Sequence, residues 1–391
     1  MFVKIIKISG IIVGLLLIVG FTFLHWILPS KLESSMNIVT PHSPYQIRPE
    51  VQEFHNQLFI ADLHSDSLLW KRNLLEESDI GHMDLPRLIK GNVALQVFSA
   101  TTKSPSGQNY DSNSADSDNI TSLAMAQLWP MVTWFSIFER AKYQLSKLHH
   151  FAAKSEGKLL VLKNKKDMQA FLSQRLQGEK VVAAIYLIEG AHPFEGELEK
   201  LDQLYDDGLR ITGLTHFFDN SIGGSLHGIS GEGLSSFGKK LIKRANKRNL
   251  IIDIAHASPK MVEDVLRLST KPVILSHGGL KGHCDSSRNL EDTLMQAVAK
   301  KDGIIGVGYW DGAICDFTPQ GVVNSIRYAI DLLGVDHVAL GSDYDGTTEV
   351  QFDTSELAIL TQTMLDSRFT KSEIRKVMGE NVMYFFLEQL P

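Results

Sequence analysis

Eight short runs of β-forming residues recur along the chain, mostly separated by stretches able to form a helix. They are Leu58–Leu63, Val93–Phe98, Val181–Ile188, Ile211–Thr215, Leu250–Ala255, Val273–Ser276, Ile304–Tyr309 and His337–Gly341. This alternation is typical of a parallel sheet covered by helices. Eight units in one domain predict a closed (β/α)8 barrel of the α/β class. An open doubly wound sheet is disfavoured, because no G-x-G-x-x-G follows Leu63.

The composition is that of a globular protein with a large core, since 43% of the 391 residues are hydrophobic and 21% are charged. The net charge of -6 provides no basic surface, so nucleic acid is not an expected partner. The two cysteines, Cys284 and Cys315, could pair or stay free, and their spacing leaves both alternatives open.

The N-terminal segment Ile8–Leu28 is long enough to cross a bilayer as a helix and contains no Asp, Glu, Lys or Arg. Lys4 and Lys7 precede it, so the positive-inside rule predicts a cytoplasmic N-terminus and an extracytoplasmic or periplasmic folded domain. Residues 1–29 are therefore predicted to be a single-pass membrane anchor in contact with lipid. A cleaved signal peptide is the alternative.

Two further boundaries follow from composition. Residues 30–50 are polar and contain proline, which predicts a linker before a barrel domain at 51–391. After the second predicted strand, Thr101–Asn119 is a long Ser/Asn/Asp-rich loop, and an amphipathic helical stretch follows from about Ile120 to Lys154. A loop of this length in a compact domain is typical of a functional lid, so we expect a lid-like insertion at about 99–155.

Six of the eight predicted strands finish in a histidine or an acidic residue. These residues are His64 and Asp66, Glu189, His216, His256, His277 and Asp343. In a (β/α)8 barrel the carboxyl ends of all strands meet at one mouth, where the active sites of such barrels lie. The sequence therefore predicts that these side chains converge.

Each of these residues alone is more often a capping or loop residue than a metal ligand. Crowded together, imidazoles and carboxylates would repel one another or stay unsatisfied, and one or two divalent cations resolve that conflict. Histidine and carboxylate ligands without cysteine suit Zn²⁺, with Mn²⁺ or Co²⁺ as alternatives. Two ions about 3.5–4 Å apart are typical of hydrolases that activate a water molecule. By contrast, Asp345, His192 and His227 are interpreted as turn or loop residues.

Several motifs together resemble the membrane (renal) dipeptidases, a family of binuclear zinc metallopeptidases. They are "ADLHSDS", "LIEGAH", "GLTHFFDNSIGGS", "IDIAHAS", "PVILSHGG", "SSRNLED" and "VALGSDYDG", and the resemblance covers about Phe54 to Leu387. It implies hydrolysis of dipeptides by a metal-bridging hydroxide, with two Zn²⁺ per chain and tolerance of a D-residue at the C-terminal position. The resemblance also implies that the protein can form a homodimer.

The resemblance also implies a role for each site residue. His64 and Asp66 would hold one metal ion, His256 and His277 the other, and Glu189 would bridge them. Asp343 would accept the proton of the attacking water and pass it to the leaving amine. His216 would stabilise the developing oxyanion, and Arg288 would bind the C-terminal carboxylate of the substrate.

The sequence departs from the family's usual pattern at three places: around Ser65, at Gly278–Gly279, and at Tyr309–Trp310, where we expect a reshaped pocket wall. Two alternatives to a dipeptidase are considered. A deaminase or lactonase type of binuclear amidohydrolase would more often carry H-x-H on its first strand, where this chain has H-x-D. A binding protein on a retained barrel would be expected to have lost ligands, and all of them are present.

Overall fold

A closed barrel of eight parallel strands forms the centre of the molecule. The computed structural model describes residues 2–391, except the side chains of residues 2–8 and 10. The strands are β1 (Ile60–Asp62), β2 (Val93–Thr101), β3 (Val182–Glu189), β4 (Leu209–Gly213), β5 (Ile251–Asp253), β6 (Ile274–Gly278), β7 (Ile304–Val307) and β8 (Val338–Leu340). Neighbours in sequence pair in parallel, and β8 pairs with β1 to close the ring. The predicted (β/α)8 barrel is confirmed.

Helices surround the barrel and fill its connections. The α-helices are Phe2–Thr22, Leu28–Met36, Pro49–Asn56, Leu85–Lys90, Asn119–Ala126, Val132–Phe135, Ile137–Lys154, Lys165–Leu176, Leu198–Asp207, Ser236–Arg248, Pro259–Leu268, Asp292–Ala299, Asp311–Ile314, Pro319–Leu333, Ala358–Asp366, Lys371–Arg375 and Asn381–Gln389. π-Helical turns span Phe23–Ile27 and Lys376–Glu380, and 3₁₀ turns span Ser67–Leu69, His192–Phe194, Val335–His337 and Thr354–Glu356.

The pairing of β2 with β3 shows how the barrel positions its polar strand ends. Every residue of both strands is buried, as expected for parallel strands covered on both faces. Their register runs from Leu95 opposite Ala183 to Thr101 opposite Glu189. The last residue of β2 therefore lies beside the carboxylate that ends β3.

Strand pairs outside the predicted set also occur. Leu159–Val161 pairs in parallel with the first residues of β3. Ile38–Val39 pairs with Glu349–Val350. These strands have two or three residues each, which is too short for an alternating hydrophobic pattern to identify them.

The structure differs from the expected linker at residues 30–50. Helix Leu28–Met36 and strand Ile38–Val39 occupy its first half. The polar composition was misleading because Glu33 is buried in an ion pair with Arg72, and the strand takes its partner from a loop more than 300 residues away. Secondary structure that depends on such distant contacts leaves no local signal.

The N-terminal helix continues through the π-helical turn without a break as far as Met36. By length and composition, the helical segment Ile11–Met36 is long and apolar enough to cross a membrane, and no other helix of the described residues meets that test. Its side chains from Ile11 to Phe23 are mostly exposed, whereas Pro29 and Glu33 are buried against the barrel domain. The helix therefore has an unpartnered apolar part and a part that belongs to the fold.

Cys284 and Cys315 form a disulfide bond between the loops that follow β6 and β7. The bond closes a segment of the chain that contains Arg288 and Trp310. It resolves the two alternatives that the sequence left open.

Replacing Cys284 and Cys315 together by serine is expected to lower the free energy of unfolding by about 3–4 kcal/mol. The reason is that the unfolded chain regains the freedom of a loop with a sequence separation of 31 residues. Urea unfolding of the detergent-solubilised protein measures the change. Reduced wild-type protein should show the same midpoint as the double variant, and an unchanged midpoint in both would contradict the prediction.

Candidate metal centre and active site

The polar residues predicted for the site all lie at the carboxyl end of the barrel, and each of them is buried. They are His64, Asp66, Glu189, His216, His256, His277, Arg288 and Asp343. Seven of them fall into three overlapping groups whose ligand atoms lie within 4.8 Å of one another, while Arg288 lies beside those groups. The barrel thus brings together the predicted set.

Glu189 lies at the centre of this cluster. One of its carboxylate oxygens lies 3.1 Å from Nε2 of His256, 3.5 Å from Nε2 of His277 and 3.6 Å from Nε2 of His64. The other oxygen lies 3.4 Å from Nε2 of His216. A single carboxylate therefore faces imidazoles from four different strand ends, as a bridging ligand would.

Two more carboxylates extend the cluster on the side of β1 and β8. Nε2 of His64 lies 3.7 Å from Asp66 and 3.9 Å from Asp343. The Thr101 hydroxyl at the end of β2 hydrogen-bonds to Asp66 at 2.9 Å and to Glu189 at 3.0 Å. Thr101 holds these two acids next to each other, so that they face the same position.

The Ser276 hydroxyl fixes the orientation of two histidines. It lies 2.6 Å from Asp253 Oδ2, 2.9 Å from Nδ1 of His277 and 3.2 Å from Nδ1 of His64. A hydroxyl has one proton, which goes to the carboxylate, so its lone pairs accept from both Nδ1–H groups. Both rings then direct Nε2 into the site, which is the nitrogen that a metal ion would bind.

Buried aspartates shape the turns that carry His64 and His256. Asp62, at the end of β1, accepts the backbone N–H of His64 at 2.9 Å, and Asp253 accepts the backbone N–H of Ala255 at 3.0 Å. His256 itself has a φ of 61°, a left-handed conformation that is uncommon for a residue other than glycine. The local hydrogen bonds hold this strained turn in place.

The electrostatics of the cluster favour positive charge among the carboxylates. Burial disfavours a protonated His64, but the neighbouring carboxylates, led by that of Glu189, outweigh burial and raise its pKa to about 10. Burial likewise disfavours an ionised Glu189, but the charges of His216 and His64 hold its pKa below the ordinary value. Glu189 therefore stays ionised and favours positive charge beside it.

His256 and His277 form the second part of the donor set. Their Nε2 atoms lie only 3.0 Å apart, and burial, followed by the charges of Arg288 and His64, holds the pKa of both well below the ordinary value. Two neutral imidazoles facing each other and a carboxylate form a suitable donor set for Zn²⁺. The buried Nε2 of His64 has no hydrogen-bond partner among the described residues, which also fits a ligand.

Asp343 and His216 lie at the edge of the cluster toward the cavity. Burial raises the pKa of Asp343 well above its ordinary value, and the charge of His64 opposes that shift. Asp343 has a φ of 59°, so its carboxylate too is presented from a left-handed turn. Nδ1 of His216 lies 3.4 Å from the carbonyl of Lys103, which leaves its Nε2 directed at Glu189.

Arg288 is a buried guanidinium without a carboxylate in salt-bridge distance among the described residues. Its Nη2 donates to the backbone carbonyl of His277 at 3.1 Å, and its charge lies 5.5 Å from the centre of the Trp310 ring. Burial lowers its pKa. An arginine in this setting is suited to bind an anionic group of a ligand.

A cavity of about 800 Å³ covers the cluster. Asp66, Glu189, His216, Arg288 and Asp343 open into it. The insertion after β2 supplies part of its wall, including Tyr110, whose hydroxyl accepts the indole N–H of Trp310 at 2.9 Å. The insertion therefore lies over the site.

The three residues interpreted as turn or loop residues differ from one another in their surroundings. His192 is buried and bonded to Thr102 at 2.9 Å, and burial lowers its pKa to about 3. His227 packs against His256 with ring centres 5.3 Å apart. Asp345 lies in a turn, as predicted, but it is also buried and paired with Arg72, which composition did not indicate.

Sequence reasoning missed the residues that hold the site together, namely Thr101, Ser276, Asp62 and Asp253. The one local signal is the aspartate that precedes the histidine in both "ADLH" and "IDIAH". Of the two residues expected to form a pocket wall, Tyr309 and Trp310, one does so. Trp310 lines the cavity, whereas Tyr309 is buried against Tyr344.

The chain is similar to several known proteins. The family model described as membrane dipeptidase (peptidase family M19) matches residues 48–389. An uncharacterized protein of Klebsiella pneumoniae from the pqqA 5' region is 32% identical over 61% of this chain and 92% of its own length. The dipeptidase aclJ of Aspergillus oryzae is 25% identical over 83% of this chain and 76% of its own length.

A solved structure shows the same fold. It is a metallopeptidase from Rhodobacter sphaeroides, liganded with a phosphinate mimic of the dipeptide L-Ala-D-Ala. The two chains are 23% identical with a TM-score of 0.68, and the match covers 85% of this chain and 99% of the other.

Proposed function

The chain belongs to the membrane dipeptidase family, peptidase family M19, and on that premise we propose that it is a zinc-dependent dipeptidase whose site residues act as the resemblance implied. The family makes it a metal-using hydrolase of dipeptides. What we add is the identity of the metal, the role of each residue and the kind of dipeptide.

The observation that carries the proposal is the position of Glu189. Its carboxylate contacts Nε2 of four histidines, and the Asp66 and Asp343 carboxylates lie beside it. Two ions held by His64 with Asp66 and by His256 with His277 would share Glu189 between them. When bound, zinc would supply the Lewis acidity that polarises the peptide carbonyl and activates a water molecule.

The remaining residues have separate tasks around that centre. Asp343 accepts a proton from the attacking water and gives it to the leaving amine, which requires a carboxylate beside the metals. His216 donates from Nε2 to the oxygen that gains negative charge. Arg288 binds the C-terminal carboxylate of the dipeptide through paired N–H donors.

Tolerance of a D-residue at the C-terminal position is part of the proposal. A site that binds the substrate by its carboxylate and its scissile carbonyl places few demands on the configuration of the last side chain. The mimic of L-Ala-D-Ala bound to the Rhodobacter sphaeroides relative supports this view.

The location that we propose is a membrane-anchored domain outside the cytoplasm. The apolar helix is suited to cross the bilayer, and the disulfide bond suits an oxidising compartment. The contacts of residues 25–33 with the barrel favour an uncleaved anchor over a signal peptide, because they belong to the fold. A homodimer remains an expectation of the family resemblance.

Purified full-length protein is expected to contain about two zinc ions per chain and to hydrolyse L-Ala-D-Ala. Activity should disappear on chelation and return with zinc, because the acids and imidazoles at the mouth need the ions to act. Metal analysis and detection of the released amino acids measure both. Full activity of metal-free protein would contradict the mechanism. Release of ammonia or opening of a lactone without peptide cleavage would favour the other amidohydrolases, and binding without turnover would favour a binding protein.

A further inference from the structure

We propose that the catalytic cavity contains an apolar subsite for the side chain of the substrate's N-terminal residue, and that the preferred dipeptides carry a long apolar chain there. The subsite is built by Leu24, Leu28, Leu32 and Met36 of the N-terminal helix. This inference rests on the proposed dipeptidase function and specifies its substrate class.

The four residues form one face of the helix. Side chains four apart on a helix lie one above the other, so this spacing creates a continuous apolar stripe. All four line the same cavity as Glu189 and Asp343, and Leu24 and Met36 are still 45% and 43% exposed. Ile120, Leu123 and Ala126 of the insertion line that cavity as well. The apolar wall is therefore open toward the cavity and available to a ligand.

The helix is held firmly at this place. Glu33, on the helix, forms a buried ion pair with Arg72, and Arg72 in turn pairs with Asp345. The Lys71 ammonium lies 3.9 Å from the centre of the Trp26 ring and donates to the carbonyl of His25 at 2.7 Å. A wall anchored by a buried ion pair and a cation–π contact is a fixed part of the site.

The size of the cavity leaves room for more than a small dipeptide. Its volume of about 800 Å³ is near the upper end of the range for pockets that bury drug-sized ligands, about 300–1,000 Å³. A dipeptide of two alanines is much smaller than such a ligand. The part of the cavity that such a dipeptide leaves empty includes the apolar wall.

The order of the strands decides which residue of the substrate faces that wall. Arg288 follows β6, whereas the wall is supported by residues that follow β1 and β8 and by the insertion after β2. In a ring of eight strands β2 and β6 lie opposite each other. A dipeptide bound by its C-terminal carboxylate at Arg288 therefore directs its N-terminal residue toward the wall.

The wall is continuous with the part of the helix suited to a bilayer. The stripe begins directly after the exposed apolar segment Ile11–Phe23. The His25 Nδ1–H donates to the carbonyl of Ala126 at 3.0 Å, and beyond Ala126 the insertion exposes Met131 and Phe135 at 67% and 81%. Apolar surface of this kind is typical of contact with a membrane. Each added methylene favours transfer to a bilayer, so dipeptides with a longer apolar chain would be enriched at this mouth.

Metal-loaded full-length protein in phosphatidylcholine vesicles tests the proposal with two matched substrate series. In L-Xaa–D-Ala, where Xaa is alanine, norleucine or 2-aminooctanoic acid, kcat/KM should rise by about tenfold or more along the series, since each fully buried methylene contributes up to about fourfold. In L-Ala–D-Xaa, with the same chains at the other end, we expect less than about a twofold change.

Leu28→Ser combined with Leu32→Ser should reduce the gain along the first series to about twofold. Ile27→Ser, on the same helix but outside the cavity lining, should retain it. Hydrolysis of Ala–D-Ala without any gain in the wild type would overturn this inference alone, and so would an equal gain in both series. Absence of all dipeptide hydrolysis would overturn the proposed function and this inference with it.

Discussion

Replacing Asp343 by asparagine is expected to lower kcat about 10³-fold while zinc content stays unchanged. The Asp343 carboxylate lies 3.9 Å from Nε2 of His64 and opens into the cavity. An amide of the same shape can occupy that position but cannot take up the proton of the attacking water. Loss of a general base typically costs about 10²–10⁴ in rate, and 10³ corresponds to about 4 kcal/mol of transition-state stabilisation.

The test compares the Asp343→Asn protein with the wild type in turnover of L-Ala-D-Ala, zinc content and thermal unfolding. The matched control is Asp206→Asn, because that side chain is 66% exposed on a surface helix and should leave kcat unchanged. If the Asp343→Asn protein keeps wild-type kcat, the role proposed for Asp343 is wrong. If it loses zinc instead, Asp343 is a metal ligand and not the proton acceptor.

Replacing Glu189 by glutamine is expected to abolish zinc binding at the centre and to lower kcat/KM by about 10³-fold or more. Among the described residues, Glu189 is the carboxylate that lies near histidines of both proposed metal positions, with His64 and His277 on its sides. A neutral amide removes the negative charge that two cations would share. Because metal binding stabilises the folded state, the loss should also appear in unfolding experiments.

Zinc titration of dialysed protein, followed by thermal unfolding, measures the effect. Wild-type protein should gain about 4 kcal/mol at a free zinc concentration of 1,000 times its Kd, whereas the Glu189→Gln protein should gain little at the same concentration. Glu179→Gln is a suitable control, because Glu179 is an exposed residue ahead of β3. Full zinc affinity in the Glu189→Gln protein would show that Glu189 does not bridge the ions.

The sequence predicted the barrel because its signals are local and repeated. Each predicted strand is an apolar run, such as Val182–Ile188, and six of the eight runs end in a histidine or an acidic residue. Closure of the ring and the meeting of strand ends then follow from the architecture. The metal-ligand candidates were found for the same reason, since His64, Glu189 and His256 each follow such a run.

The residues that support the site were not predicted. Ser276 stands beside His277 in sequence, but its importance comes from contacts with Asp253 and His64, which lie 23 and 212 residues away. Thr101 bonds to Asp66 and Glu189 only because β2 and β3 pair in a particular register. Hydrogen bonds between distant residues have no periodic pattern in sequence.

The N-terminal helix shows most clearly which features the sequence predicts and which depend on tertiary contacts. By itself the sequence determined that residues 8–28 form an apolar helix, because their composition and length allow little else. Only the tertiary structure decided that the helix continues to Met36 and forms a wall of the catalytic cavity. The physical reason is that Glu33 and Arg72 must pair when they are buried, and this ion pair joins two segments that local sequence had separated as linker and barrel.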